Sequence, residues 1–251
     1  MLIDPVCIRM VWHRDILRYF REKSQIYGSL ARPVLWLFVL GTGLRGSYGR
    51  VQNADYTQFI FPGIVAMAAI FTSIQSAISI IWDREFGFLK EILVAPVSRT
   101  SIVLGKGLAG TTLSLVQGTI ILLLSPLVSV GIPLANIVPL LLVIALMSFS
   151  LTGIGIVIAA RMTSFQGFGT IMNFLIMPMW FLSGALFPVD SLPAWLGVLV
   201  RLNPLTYGVD LIRSLVLGFS YQAPVLDLLF LAVFGTLTTA AAVFFFNRGE
   251  Y

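Results

Sequence analysis

Four stretches of this chain contain no Asp, Glu, Lys or Arg: residues 56–82, 107–160, 162–189 and 228–247. An α-helix needs about 20 mostly apolar residues to cross the hydrocarbon core of a bilayer. Lipid offers no hydrogen-bond partners, so backbone inside such runs must satisfy itself, and a helix does this within one segment. A soluble fold would have to cover its surface with charges, about 25% of residues in an ordinary domain. Here charged residues are 11% and hydrophobic types 58%. The chain is therefore expected to be an all-α polytopic membrane protein, a single transmembrane domain over residues 1–251.

Six spans can be placed: residues 26–45, 57–82, 101–130, 135–160, 165–188 and 226–246. The long middle run divides at Gly131-Ile132-Pro133, a turn signal. The first span reaches full length only if Arg32 extends its charge to the membrane surface. With six spans both termini share a side. That side holds twelve of the sixteen lysines and arginines, and the other side holds Arg45, Arg50, Arg201 and Arg213. Positive charge accumulates in cytoplasmic loops, so both termini are expected in the cytoplasm. The net charge of +5 is then topological, with no nucleic acid implied.

Some segments do not span. Residues 5–24 place Ile8, Val11, Trp12, Ile16, Tyr19 and Phe20 at helical spacing. Arg9, His13, Arg14, Arg18 and Arg21 fill the remaining arc. This reads as an amphipathic helix at the cytoplasmic interface. Residues 83–98 read as a short cytoplasmic helix with Phe86, Leu89 and Leu93 on one face, ended by Pro96. Ser98 or Thr100 can cap the next helix. An apolar face on so short and charged a helix is a docking surface. Residues 188–221, outside and between spans 5 and 6, are rich in proline and too charged to cross. They read as an external re-entrant segment.

Chemistry is absent by the same reading. Gly105-Lys106-Gly107 lacks the upstream glycine and the following Ser or Thr of a phosphate-binding loop. One cysteine, Cys7, and one histidine, His13, exclude an intramolecular disulfide and the usual zinc sites. The span centres carry no ionisable residue, which argues against an ion-coupled transporter. Gln75, Gln117 and Asn173 are polar residues within spans. Such groups hydrogen-bond helices together, or, for Gln75 and Asn173, line a pathway.

The pattern resembles the type 2 permeases of ATP-binding-cassette exporters over nearly the full chain. Three pieces carry the likeness. In Trp82–Lys106, Glu85, Gly87, Leu89, Glu91, Pro96, Ser98, Gly105 and Lys106 fit. Lys90 departs, because the family commonly has Glu directly after Leu. In Leu182–Asp210, Ser183, Gly184, Phe187 and Pro188 are followed by Leu192-Pro193, Trp195 and Asn203-Pro204. The amphipathic start with Arg32-Pro33 and Trp36 is the third.

The resemblance implies the membrane half of an exporter in a bacterial or archaeal plasma membrane, a homodimer bound to cytoplasmic ATPase subunits. ATP and Mg would sit on those subunits, and this chain would hold no cofactor or metal and catalyse nothing itself. Glu85, Phe86, Gly87, Leu89, Glu91, Pro96 and Ser98 would form the coupling helix. Phe187, Pro188, Trp195, Asn203 and Pro204 would close the external end. The substrate implied is hydrophobic or lipid-linked: a drug, a lipid, a lipo-oligosaccharide or a polysaccharide.

Overall fold

The computed structural model describes residues 3–43, 50–51, 54–88, 97–189 and 192–248 of the 251. Ten helices are described: α1 (Pro5–Arg21), α2 (Lys23–Gly43), α3 (Tyr56–Ser76), α4 (Ile78–Glu85), α5 (Arg99–Leu123), α6 (Ile137–Arg161), α7 (Phe165–Phe181), α8 (Ala194–Leu202), α9 (Pro204–Leu217) and α10 (Pro224–Arg248). The only strands among the described residues are the pairs Arg50–Val51 and Ala54–Asp55, joined antiparallel with Arg50 opposite Asp55.

Helix α3 is the centre of the bundle. Every residue from Phe59 to Ile74 is buried, as expected of a helix that is apolar on all sides. Its neighbours are α2, α5, α6, α7 and α9. Close approach depends on small side chains. Gly155 of α6 leaves room for the Ile74 carbonyl, which would lie 2.7 Å from an added Cβ. Trp180 of α7 is fully buried and donates Nε1 to the Gly63 carbonyl at 2.9 Å. On the far side α10 packs along α6, where Ser150 Oγ donates to the Leu231 carbonyl.

Among the described residues, five stretches are long and apolar enough to cross a membrane: Lys23–Gly43, Tyr56–Glu85, Arg99–Leu123, Leu134–Arg161 and Pro224–Arg248. The remaining expected span, 165–188, is shorter than its uncharged run. α7 stops at Phe181 after 17 residues, about 25 Å long and at the lower limit for crossing. A turn through Gly184, whose φ is +69°, follows it. Span 101–130 also ends early, at Leu123, because Pro126 opens a short 3-10 turn that closes on Ser129 at φ +56°. Span 57–82 is two helices broken at Ala77. Ser73 and Ser76 bond back to the carbonyls of Ile70 and Ser73, a pattern that bends helices.

Contacts set the direction of each helix. Gly41 meets Thr57, Ser129 meets Gln58, and Trp180 meets Gly63. So α2, α5 and α7 end where α3 begins. The described stretches nearest both termini lie at the opposite end: α1 packs beside the start of α5, and Arg99 of α5 donates to the carbonyls of Phe246 and Asn247 near the end of α10. Helices α8 and α9 sit at the end without termini. There α9 is wedged among α3, α6 and α10, buried from Pro204 to Arg213.

Candidate functional site

The end with the termini carries a buried ionic cluster. Lys106 Nζ lies 2.9 Å from Asp15 Oδ2 and 2.6 Å from Asp83 Oδ2 and donates to Ser79 Oγ at 2.9 Å. Arg14 Nη2 lies 3.0 Å from Asp15 Oδ1 and 2.5 Å from Asp83 Oδ2, and Arg18 stands 3.8 Å from Asp83. Lys106, Asp15 and Asp83 are buried, whereas the two arginines are about a third exposed and form the rim. Burial works against the Asp15 charge, but Lys106 and then Arg14 outweigh it and hold the carboxyl below the usual carboxylate range. Burial likewise opposes the Arg14 charge, and Asp15 and Asp83 still hold it above its ordinary value.

Local sequence explains why this cluster forms. The buried face of α1 is Cys7, Val11, Asp15 and Tyr19, one residue per turn. Gly105 lets α1 come close: a Cβ there would lie 2.9 Å from Val11 Cβ and 3.0 Å from the Ile8 carbonyl. Asp4 N donates to Ser101 Oγ and Trp12 Nε1 to Thr112 Oγ1 at 3.0 Å, so α1 lies along α5. The apolar stripe expected on α1 is therefore corrected. Phe20 is exposed, and Asp15 occupies the inner face because Lys106 is opposite. The signal was present, since Asp15 stands four residues from both Val11 and Tyr19.

The candidate coupling residues divide. Asp83 and Glu85 are the end of α4 rather than part of a separate helix, with Asp83 turned inward. Tyr56–Glu85 covers 30 residues, about 45 Å, and exceeds the hydrocarbon core by about 15 Å. The surplus falls at its charged end. Phe86 is 71% exposed and stacks on Trp82 at 5.3 Å. Gly87 turns the chain with φ +77°, a conformation that glycine adopts without cost. Ser98 is buried and caps α5, accepting from Ser101 N. Leu89, Glu91 and Pro96 lie outside the described residues.

Arginines tie this segment to the rest of the bundle. Arg14 lies 4.4 Å over the Phe88 ring and Arg18 4.7 Å over Trp82. Arg84 donates to the carbonyls of Met162 and Ala160 at the end of α6. Helix C-termini carry unsatisfied carbonyls and partial negative charge, which guanidinium groups complement.

At the other end, Asn203 caps α9. Its Oδ1 accepts from Leu205 N at 3.1 Å, its Nδ2 donates to the Met179 carbonyl, and Pro204 takes the first helical position, where it needs no N–H partner. Arg213 is fully buried, donates to the Gly184 carbonyl at 2.6 Å and lies 4.6 Å over Phe59. Asp210 accepts from the backbone N–H groups of Tyr221 and Gln222. Asp227 is buried in the first turn of α10 beside Asp210. Phe187 and Pro188 are half-buried, and Trp195 on α8 is 65% exposed. Asp210 and Arg213 were legible only as charges that forbid a span.

Between α1, α2, α3, α5 and α7 lies a cavity of about 320 Å³. Gln75 and Asn173, 98 positions apart in the chain, both line it. Gln117 lies behind its wall, bonded to Thr72, Tyr19 and Ser29.

A family model described as "ABC-2 type transporter" matches residues 7–217. The chain belongs to this family. The permease is 31% identical over 206 residues to ycf38 of Cyanophora paradoxa, named as a transport permease, with 80% of this chain and 71% of the relative covered. It is 33% identical over 211 residues to nodulation protein J of Rhizobium leguminosarum bv. viciae, with 83% and 81% covered. The permease is thus a multi-pass membrane protein, and its 251 residues carry no nucleotide-binding domain.

Proposed function

We propose that this permease is the membrane half of an ATP-driven exporter, working as a homodimer on separate ATPase subunits. In this reading the end with the termini faces the cytoplasm of a bacterial or archaeal cell, and residues 83–98 receive the motion of the ATPase. One observation carries the proposal: the segment is tied to other helices at both of its ends. On its N-terminal side Phe88 lies under Arg14, Trp82 under Arg18, and Arg84 holds the end of α6. On its C-terminal side Arg99 holds the end of α10. A push on residues 86–98 would therefore reach α1, α5, α6 and α10 together. Glu85 and Phe86, exposed beside Gly87, would meet the ATPase, with Leu89, Glu91 and Pro96 completing the docking helix. The α8–α9 segment with Phe187, Pro188, Trp195, Asn203 and Pro204 would close the external end. The apolar interior favours a hydrophobic or lipid-linked substrate.

The test is ATP-dependent export by Glu85→Arg, Phe86→Arg and Glu91→Arg variants, with membrane insertion measured in parallel. Loss of export with insertion intact supports the docking role. Normal export in all three overturns it.

A further inference from the structure

We infer that the cavity between α2, α3 and α7 binds the anionic head group of an amphiphile, with Arg32 as its cationic contact. This rests on the export reading above and deepens it by assigning a chemical class to the substrate. Among the described residues, Arg32 and the phenol of Tyr19 are the only ionisable side chains that line the cavity, and no carboxylate does. The Arg32 guanidinium lies 4.2 Å over the Phe71 ring, and among the described residues no acid pairs with it. A guanidinium with no counter-charge, presenting several N–H donors, is suited to phosphate or carboxylate. Ser29, Thr72, Gln75 and Asn173 supply neutral hydrogen-bonding groups around it. The volume of about 320 Å³ lies at the small end of ligand pockets, enough for a head group and too small for a whole lipid.

Two further observations select an amphiphile over a free anion. Arg32 and Asn173 are themselves exposed at the rim. On the same two helices Leu35, Phe38, Ile171 and Phe174 are also exposed, so apolar surface flanks the opening where a tail would lie. The cavity also shares Tyr19, Gln25, Ser76 and Leu113 with a second cavity of about 210 Å³ that reaches Arg18 and Glu22. The two make one continuous track of mixed polar and apolar lining from the end with the termini to Arg32, with the carboxylates Asp15 and Glu22 confined to its far end.

The experiment is thermal unfolding of the purified full-length permease in neutral detergent, with dioleoyl phosphatidic acid, dioleoyl phosphatidylcholine or inorganic phosphate added. Phosphatidic acid is expected to raise the Tm of the natural protein. In Arg32→Gln the apparent affinity should fall at least about tenfold, the loss of a hydrogen bond to a charged group. Arg32→Lys should restore most of it, and Arg9→Gln, on the exposed face of α1, should leave it unchanged. An equal response in Arg32→Gln, or in all arginine variants alike, overturns the site. An equal rise with inorganic phosphate overturns the amphiphile. If Arg32→Gln is unstable without ligand, Asn173→Leu serves, with the same weakened response expected. Because no ATPase is present, a failure here leaves the export reading standing, and a failure of ATP-dependent export leaves this binding result standing.

Discussion

Replacing Lys106 by Met removes the innermost charge of the cluster that holds α1 to the bundle. Lys106 is 3% exposed and contacts Asp15, Asp83 and Ser79, all of them buried. Breaking a buried ion pair from one side costs about 3–5 kcal/mol, because the partner is left buried and uncompensated. Arg14 and Arg18 remain beside the aspartates, but from the rim and with a third of their surface in solvent. Asp15 Oδ2 would keep only Ser79. The lower end of the range therefore applies, about 3 kcal/mol, which is about 150-fold in an equilibrium at 1.36 kcal/mol per decade. The chain has its own reporter. Cys7 is the single cysteine and sits buried on the inner face of α1. Where opening is fast relative to labelling, its rate of alkylation follows the population of undocked α1. Lys106→Met should raise that rate by about 150-fold, with the rest of the bundle still folded. Adding Asp15→Asn should recover part of the loss, since the uncompensated charge is then gone. A rate within about threefold of the natural protein, or strictly additive effects of the two substitutions, would refute the reasoning, since contacting charges must couple.

Gly105→Val should undock the same helix by overlap with Val11 and the Ile8 carbonyl, and Cys7 labelling should rise while insertion is unchanged. Gly87→Val should cost roughly 1–3 kcal/mol for a branched residue held in the left-handed region, read as a lower Tm. Because Asp15 has a depressed carboxyl pKa, its contribution to docking is present above the unfolded value and lost as pH falls through the folded one. Trp12 fluorescence, reporting the Thr112 contact, should be flat down to about pH 4, the unperturbed aspartate value, and change only below it; a midpoint between pH 5 and 7 would contradict the cluster geometry. Asn203→Ala removes the cap of α9 and its bond to α7, and should lower stability by about 1–3 kcal/mol, seen as a lower Tm in detergent.

Much of the architecture was legible because lipid makes a one-dimensional demand. A run without charge must be helix, and its length says whether it crosses. That logic found α2, α3, α5, α6 and α10, and the non-spanning α8–α9 segment. It failed at helix ends. Residues 182–188 are as uncharged as the helix before them, yet the chain turns at Gly184, held by Arg213 from 29 positions away. It also failed where charge is buried by partnership. Asp15 fell on neither the apolar stripe nor the basic arc read for the surface helix, and Asp83 was read as the start of a docking helix. Only packing shows that Lys106 neutralises both.

Hydrophobic length, a property of single segments, determined that this chain is a helical membrane bundle with its non-spanning pieces at the two ends. Motif spacing also decided that Gly105-Lys106-Gly107 is not a phosphate-binding loop. Tertiary structure alone decided which polar residues act together. Gln75 and Asn173 share a cavity with Arg32, and α1 is clamped by an ion cluster drawn from three helices. Side-chain direction depends on the neighbour a helix finds, and that neighbour comes from a distant part of the chain.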